Sequence, residues 1–209
     1  MKSALFILCA AWAASTAHAQ NPASSRKPGL WESRTLQMTI NGEDMRPRMK
    51  EMQENTRKAL SAMQPGQRKA MQDMLAGQTD DPLVSRLCIS AEMVKNQQPG
   101  LPATYQPRAG CAAPKVTIEG NRSTFEVSCR SASETTVIKG DMAVEGDQIT
   151  TTAEMARTGA DRLQHVTQTR IQSTFIGSDC GGLKPFNQIM AAMMAQNNAA
   201  TQAAAKPAK

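Results

Sequence analysis

The sequence predicts a mainly β fold. It reads as an antiparallel meander of about seven strands, a barrel or a strongly curved sheet, with a Met-rich α-helical hairpin inserted and a short helix and tail at the C-terminus. Three observations carry this expectation. From Lys115 to Ile176, apolar residues alternate with polar ones between short turns rich in Gly, Asn and Asp. Between Glu43 and Gly77 the apolar period changes to three and four, with charged residues between. Turns this short connect antiparallel neighbours and leave no room for crossover helices.

Taken in order, the chain starts with export chemistry. Lys2, the apolar run Leu5–Ala14 and the small residues of Ala17-His18-Ala19 have the layout of a signal peptide, predicting cleavage after Ala19. Cys9 lies inside the apolar run without a lipobox before it and reads as part of that run. The expected organisation is a signal peptide (1–19), a polar leader (20–27) and one β domain (28–182) carrying a helical insertion at 44–78. A short helix and disordered tail (183–209) follow. The predicted location is the periplasm.

The first strand is Leu30–Ile40, with Leu36, Met38 and Ile40 on one face and the turn Asn41-Gly42 at its end. Trp31 has the other parity, which demands a bulge or a covered outer face. In the insertion, Met45, Met49, Met52, Leu60 and Met63 recur at helical steps. Asp44 is the expected N-cap, Pro65-Gly66 breaks the helix, and Gly77 follows a second one, Gln67–Ala76, that includes Met71 and Met74. Leu87 and Ile89 mark the next strand, Ser90 caps a turn of helix, and Asn96–Gly110 is a Pro- and Gly-bearing loop. Strands are then predicted at Lys115–Glu119, Arg122–Arg130, Glu134–Glu145, Gln148–Met155 and Arg162–Ile176, the last with Leu163, Ile171 and Phe175 facing inward. Small or polar Thr151, Ala153, Thr167 and Thr169 share the inward face. The late strands are therefore lightly filled, and either pack closely or leave a cavity. Phe186, Ile189, Met190, Met193 and Met194 outline the final helix, and Asn197–Lys209 is low-complexity.

The formal charge is +6, but the excess lies in Arg26, Lys27, the helical insertion and Lys184, Lys206 and Lys209. The rest of the chain is slightly acidic, so the charge describes appendages and not a basic groove. With aromatic residues at 3%, base-stacking surfaces are scarce and nucleic acid is excluded as a partner. No apolar run has the ~18 residues of a membrane span.

Removal of the signal peptide leaves Cys88, Cys111, Cys129 and Cys180, an even set that predicts two disulfides in an oxidising compartment. The Gly120-Asn121 turn sets a register in which Cys129 lies opposite position 112, next to Cys111. Cross-strand neighbours are close enough to bridge. Cys111–Cys129 is therefore the predicted local pair and Cys88–Cys180 the long one.

These landmarks together, Lys27-Pro28-Gly29-Leu30-Trp31-Glu32, Leu87-Cys88-Ile89-Ser90, Cys111, Cys129 and Gly177–Cys180, resemble a family of small exported proteobacterial proteins that bears only a domain-of-unknown-function name. Its members open with P-G-x-W-E and carry four cysteines at similar places. The resemblance spans Lys27–Cys180 and implies an exported β-rich domain, with no reaction and no catalytic residues.

Candidate chemistry is sparse. Met45, Met49 and Met52 place three thioethers on one helical face, a soft donor set for Cu(I), though the same spacing serves an adaptable apolar face. Trp31 in its motif is a candidate partner anchor or a core plug. His165 is the only histidine after the signal peptide and has no nucleophile beside it. Glu119, Glu126, Glu134 and Glu154 alternate with apolar residues as solvated side chains do, and Asn121-Arg122-Ser123 matches a glycosylation sequon inside a hairpin turn. No catalytic group, metal site or cofactor is predicted. The expected function is that of a non-enzymatic exported binding or envelope accessory protein, its partner an envelope protein or a small apolar ligand. Two alternatives stand beside it: a Cu(I)-binding protein using the Met-rich helical insertion, and a carrier of a small apolar ligand in the β cavity.

Overall fold

The computed structural model describes residues 26–192 and 195, apart from 103–104 and 106–108. The predicted signal peptide, most of the leader, Met193, Met194 and the low-complexity tail lie outside the described residues. In chain order the elements are β1 (Gly29–Ile40), β2 (Glu43–Asp44), α1 (Arg46–Ala62), α2 (Pro65–Leu75), β3 (Val84–Ile89), α3 (Ala91–Asn96), β4 (Lys115–Glu119), β5 (Arg122–Arg130), β6 (Glu134–Glu145), β7 (Gln148–Gly159) and β8 (Gln164–Gly177).

All strands join one antiparallel sheet in the order β2-β1-β8-β7-β6-β5-β4, with β3 beside the first half of β1. The seven predicted strands are present; the eighth, β2, is a two-residue return of the chain on β1 after the Asn41-Gly42 turn. The sheet is open, which corrects the barrel expectation. Closure would need β4 to pair with β3, but the outer edge of β3 is already taken. The Arg86 N–H donates to the Gly77 carbonyl (2.6 Å), and bridges pair Gln78 with Ser85 and Pro185 with Cys88. Gly77 is needed there because a Cβ would collide with the Arg86 carbonyl oxygen. Its backbone is not left-handed, so it acts through close approach and not as the expected helix cap.

A bulge in β1 resolves the parity of Trp31. The register with β8 shifts between Thr35 and Gln37, leaving Leu36 as the extra residue. Trp31 before the bulge and Met38 and Ile40 after it therefore share the inner face, and Leu36 drops out of the row expected for it. Trp31 is 2% exposed and packs with Ile89, Met142, Val144 and Ile149, with Phe175, Met93 and Val94 against them. Its Nε1–H donates to the Lys27 carbonyl (2.9 Å), its ring meets Phe175 edge-on at 5.5 Å, and the Arg26 guanidinium lies 5.6 Å from its centre. Burial pulls the Arg26 guanidinium down to about 10. Gly29 precedes this cluster at φ +137°, pressed against β8 where a Cβ would strike the Gly177 carbonyl oxygen.

Several local expectations shift by a residue or more. The N-cap of α1 is Met45 and not Asp44, because Asp44 is held in β2; its Oδ1 still accepts the Arg46 N–H (3.0 Å), and the Arg46 guanidinium holds its carboxyl down at about 2. The break between helices falls at Met63 and Gln64, with Pro65 opening α2, where its missing N–H costs nothing. Leu163 is 60% exposed instead of inward, since β7 runs on to Gly159 and β8 begins two residues later than expected, at Gln164, which leaves Leu163 in the turn. Ser90 caps α3 as expected, its Oγ accepting the Met93 N–H (3.1 Å). Beyond α3, residues 186–192 are helical.

Both predicted cysteine pairs are at disulfide distance, with Cα atoms 5.5 Å apart for Cys88 and Cys180 and 3.8 Å for Cys111 and Cys129. Along β4 and β5 the register follows the Gly120-Asn121 turn, Lys115 facing Glu126, but Cys129 faces Cys111 itself and not position 112. One residue slips in the Pro114-bearing stretch between the two pairings, where proline offers no N–H to the ladder.

Candidate functional site

The inner face has two parts of unequal filling. At the Trp31 end, large side chains from β1, β3, β6, β7 and β8 close the core, and α3 covers them. Toward the other end the facing rows run Phe125, Gly140, Ala153, Thr169 and then Val127, Ile138, Met155, Thr167. Small residues at the centre of the first row leave depth, and the Phe125 ring tilts over Gly140, where a Cβ would come within 2.5 Å of its Cζ. The result is a groove of about 510 Å³ over β5, β6 and β7, walled by Leu101, Pro102 and Tyr105 from the loop after α3. That volume falls within the ~300–1,000 Å³ usual for small-molecule sites.

The floor is apolar and the mouth is charged. Val127, Ile138, Met155 and the Cys111–Cys129 pair line the interior, and Arg130, Ser131, Glu134 and Arg157 stand at one end. Glu134 accepts the Thr136 hydroxyl (2.8 Å) and lies 3.7 Å from the Arg157 Nε, whose side chain is 54% exposed. Arg130 ends β5 and has no side-chain acceptor among the described residues.

The residues singled out from the sequence fall elsewhere. Trp31 is a core residue, too enclosed to anchor a partner at the surface. Met49 and Met52 line a separate cleft of about 320 Å³ with Thr35, Leu83 and Val84, and Met52 is 60% exposed. Met45 serves the α1 start through its backbone, its N–H donating to the Met38 carbonyl (2.9 Å). His165 is exposed at the sheet end, its Nδ1 3.3 Å from the Asn41 amide. The four glutamates do not pair with one another: Glu126 lies between Lys115 and Lys139, Glu134 faces Arg157, and Glu154 accepts from Gln168. Among the described residues no group of three His, Cys, Asp or Glu side chains gathers at metal-binding distance.

A third cleft, about 610 Å³, lies between the helices and β3, but the protein spans it with its own bonds, Gln53 to the Thr79 carbonyl (2.8 Å) and Arg57 to Asp80 (2.9 Å). The groove over β5–β7 is therefore the better candidate. Sequence reasoning found its small-residue floor through Ala153 but missed its wall and its mouth. Leu101 is 1% exposed although it lies in the predicted loop; the signal was a lone large apolar residue between Gly100 and Pro102. Gly100, at φ +76°, packs on β4 and β5 and its carbonyl accepts the Ser123 hydroxyl (3.1 Å), which seats Leu101.

Residues 26–180 match the family model described as protein of unknown function (DUF3617). No curated protein and no solved structure matches the chain.

Proposed function

The chain belongs to the DUF3617 family, and from that premise we propose that it is an exported, non-enzymatic binding protein that holds a small apolar ligand in the groove over β5–β7. The groove itself carries this reading: an apolar floor on rigid strands, of ligand-sized volume, left uncovered by α3. Export to the periplasm is supported by the two cysteine pairs, which persist in oxidising compartments. Among the described residues no helix is long and apolar enough to cross a membrane.

The test is binding of the neutral fluorophore N-phenyl-1-naphthylamine to the purified protein. Saturable fluorescence enhancement is expected, together with its loss in Ala153→Trp, whose indole fills the centre of the floor. Circular dichroism of the variant checks that the sheet is intact. Absence of saturable binding by the wild-type protein, or equal binding by a folded Ala153→Trp protein, overturns the reading.

A further inference from the structure

At the edge of the sheet, β4 pairs with β5 on one side, and among the described residues nothing pairs with it on the other. The ladder fixes which backbone groups point outward. The Ala112 N–H donates to the Ser128 carbonyl (2.8 Å) and the Arg130 N–H to the Gly110 carbonyl (2.8 Å), so the even-numbered residues of β5 turn their peptide groups toward β4. Their partners Lys115, Thr117 and Glu119 bond back to β5, and the N–H and C=O groups of Val116 and Ile118 face outward. The side chains of Val116 and Ile118 lie on the inner face against Gly100, which leaves Lys115, Thr117 and Glu119 on the outer face.

We propose that β4 pairs antiparallel with β4 of a second copy of this chain, in the register centred on Thr117. There Val116 of each copy exchanges both backbone bonds with Ile118 of the other, so every outward group of the strand is used. Moving the centre by one residue would oppose Ile118 to Pro114, which has no N–H, or Val116 to Gly120 of the turn. Charge complementarity selects the same register. Across the outer face one row alternates in sign, Glu154, Lys139, Glu126 and Lys115, and reaches the edge on a cation. Glu126 is shared, 3.4 Å from the Lys115 Nζ and 3.7 Å from that of Lys139, and the Lys115 side chain is 83% exposed. Glu119 has no side-chain partner among the described residues. A lysine on an edge strand ordinarily repels a second copy. Here the Thr117-centred pairing sets Glu119 of the second copy opposite Lys115, with Arg122 of that copy next in the row, so the alternation continues across the join. The two-fold forms this contact twice, at non-hydrogen-bonded positions where side chains lie closest.

Sedimentation equilibrium of the purified protein at low ionic strength tests the proposal, and a monomer–dimer equilibrium is expected. Lys115→Glu and Glu119→Lys, each alone, should raise the dissociation constant about tenfold, because each sets like charges opposite at both symmetric positions. The doubly exchanged variant should recover association, and so should a mixture of the two single variants, which a folding defect could not produce. A wild-type protein that stays monomeric up to about 0.5 mM, a range that takes in weak, small interfaces, overturns the proposal. Association that neither reversal weakens also overturns it, as does a loss in folded variants that mixing does not restore. If a reversal unfolds the chain by circular dichroism, Thr117→Cys decides. Its thiols would meet on the two-fold and should form an intermolecular disulfide in air, whereas those of Thr124→Cys, one strand inward on the same face, should not. Absence of cross-linking in Thr117→Cys, or equal cross-linking in both, overturns the pairing.

Discussion

Replacing Trp31 by alanine should remove the largest single contribution to the closed end of the core. The indole is 2% exposed among Ile89, Met142, Val144 and Ile149, so truncation leaves a cavity that the surrounding strands cannot collapse into. Such truncations cost about 3–5 kcal/mol. The edge-to-face contact with Phe175 at 5.5 Å adds about 0.5–1.5 kcal/mol. A total loss of about 5 kcal/mol would lower the melting temperature by roughly 10–20 °C at ~2–4 °C per kcal/mol for a domain of this size. Trp31→Phe separates the terms. It keeps a ring against Phe175 but loses the Nε1–H donation to the Lys27 carbonyl, for a cost of about 1–2 kcal/mol. Urea denaturation followed by far-UV circular dichroism is the assay, since the substitution deletes the fluorophore. A loss below about 1 kcal/mol for Trp31→Ala would refute the core assignment and return Trp31 to the surface as a partner anchor.

Two further outcomes follow from covalent and electrostatic ties. The Cys88–Cys180 pair encloses a separation of 92 residues and the Cys111–Cys129 pair one of 18. Double serine replacement of the long pair should therefore cost about 4.6 kcal/mol and of the short pair about 3.2 kcal/mol in the chain-entropy account, a ranking that denaturant midpoints would reverse if the reasoning were wrong. Asp44, held at about 2 by the Arg46 guanidinium, should keep its charge well below the usual carboxylate range. A folded value below the unfolded one gives a tie present above pH 3.8 and lost as pH falls through about 2; a carboxyl NMR titration giving an ordinary midpoint would refute it.

How much of this molecule the amino-acid order specifies depends on the range of the interaction. Strand positions, the Ser90 cap and both cysteine pairs were legible, because periodicity, turn chemistry and hairpin register act over a few residues; a bulge was one of two ways to settle the parity of Trp31, and its place at Leu36 was not. Asp44 and the Gly77 cap were misplaced because pairing of β2 with β1 and of Gly77 with Arg86 overrode local preference. Leu163 moved outward for a similar reason, the last hairpin turning where β7 and β8 stay paired to Thr158 and Gln164. The open sheet, the burial of Leu101 and the charged mouth of the groove were decided by tertiary structure alone. Closure depends on whether two distant edges are free, and Gly77, Gln78 and Pro185 occupy one of them. Glu134 and Arg157 meet at one mouth only because β6 and β7 align in one register. Alternation along each strand assigns a residue to a face, but which residues of different strands become neighbours on that face is set by pairing across the whole sheet.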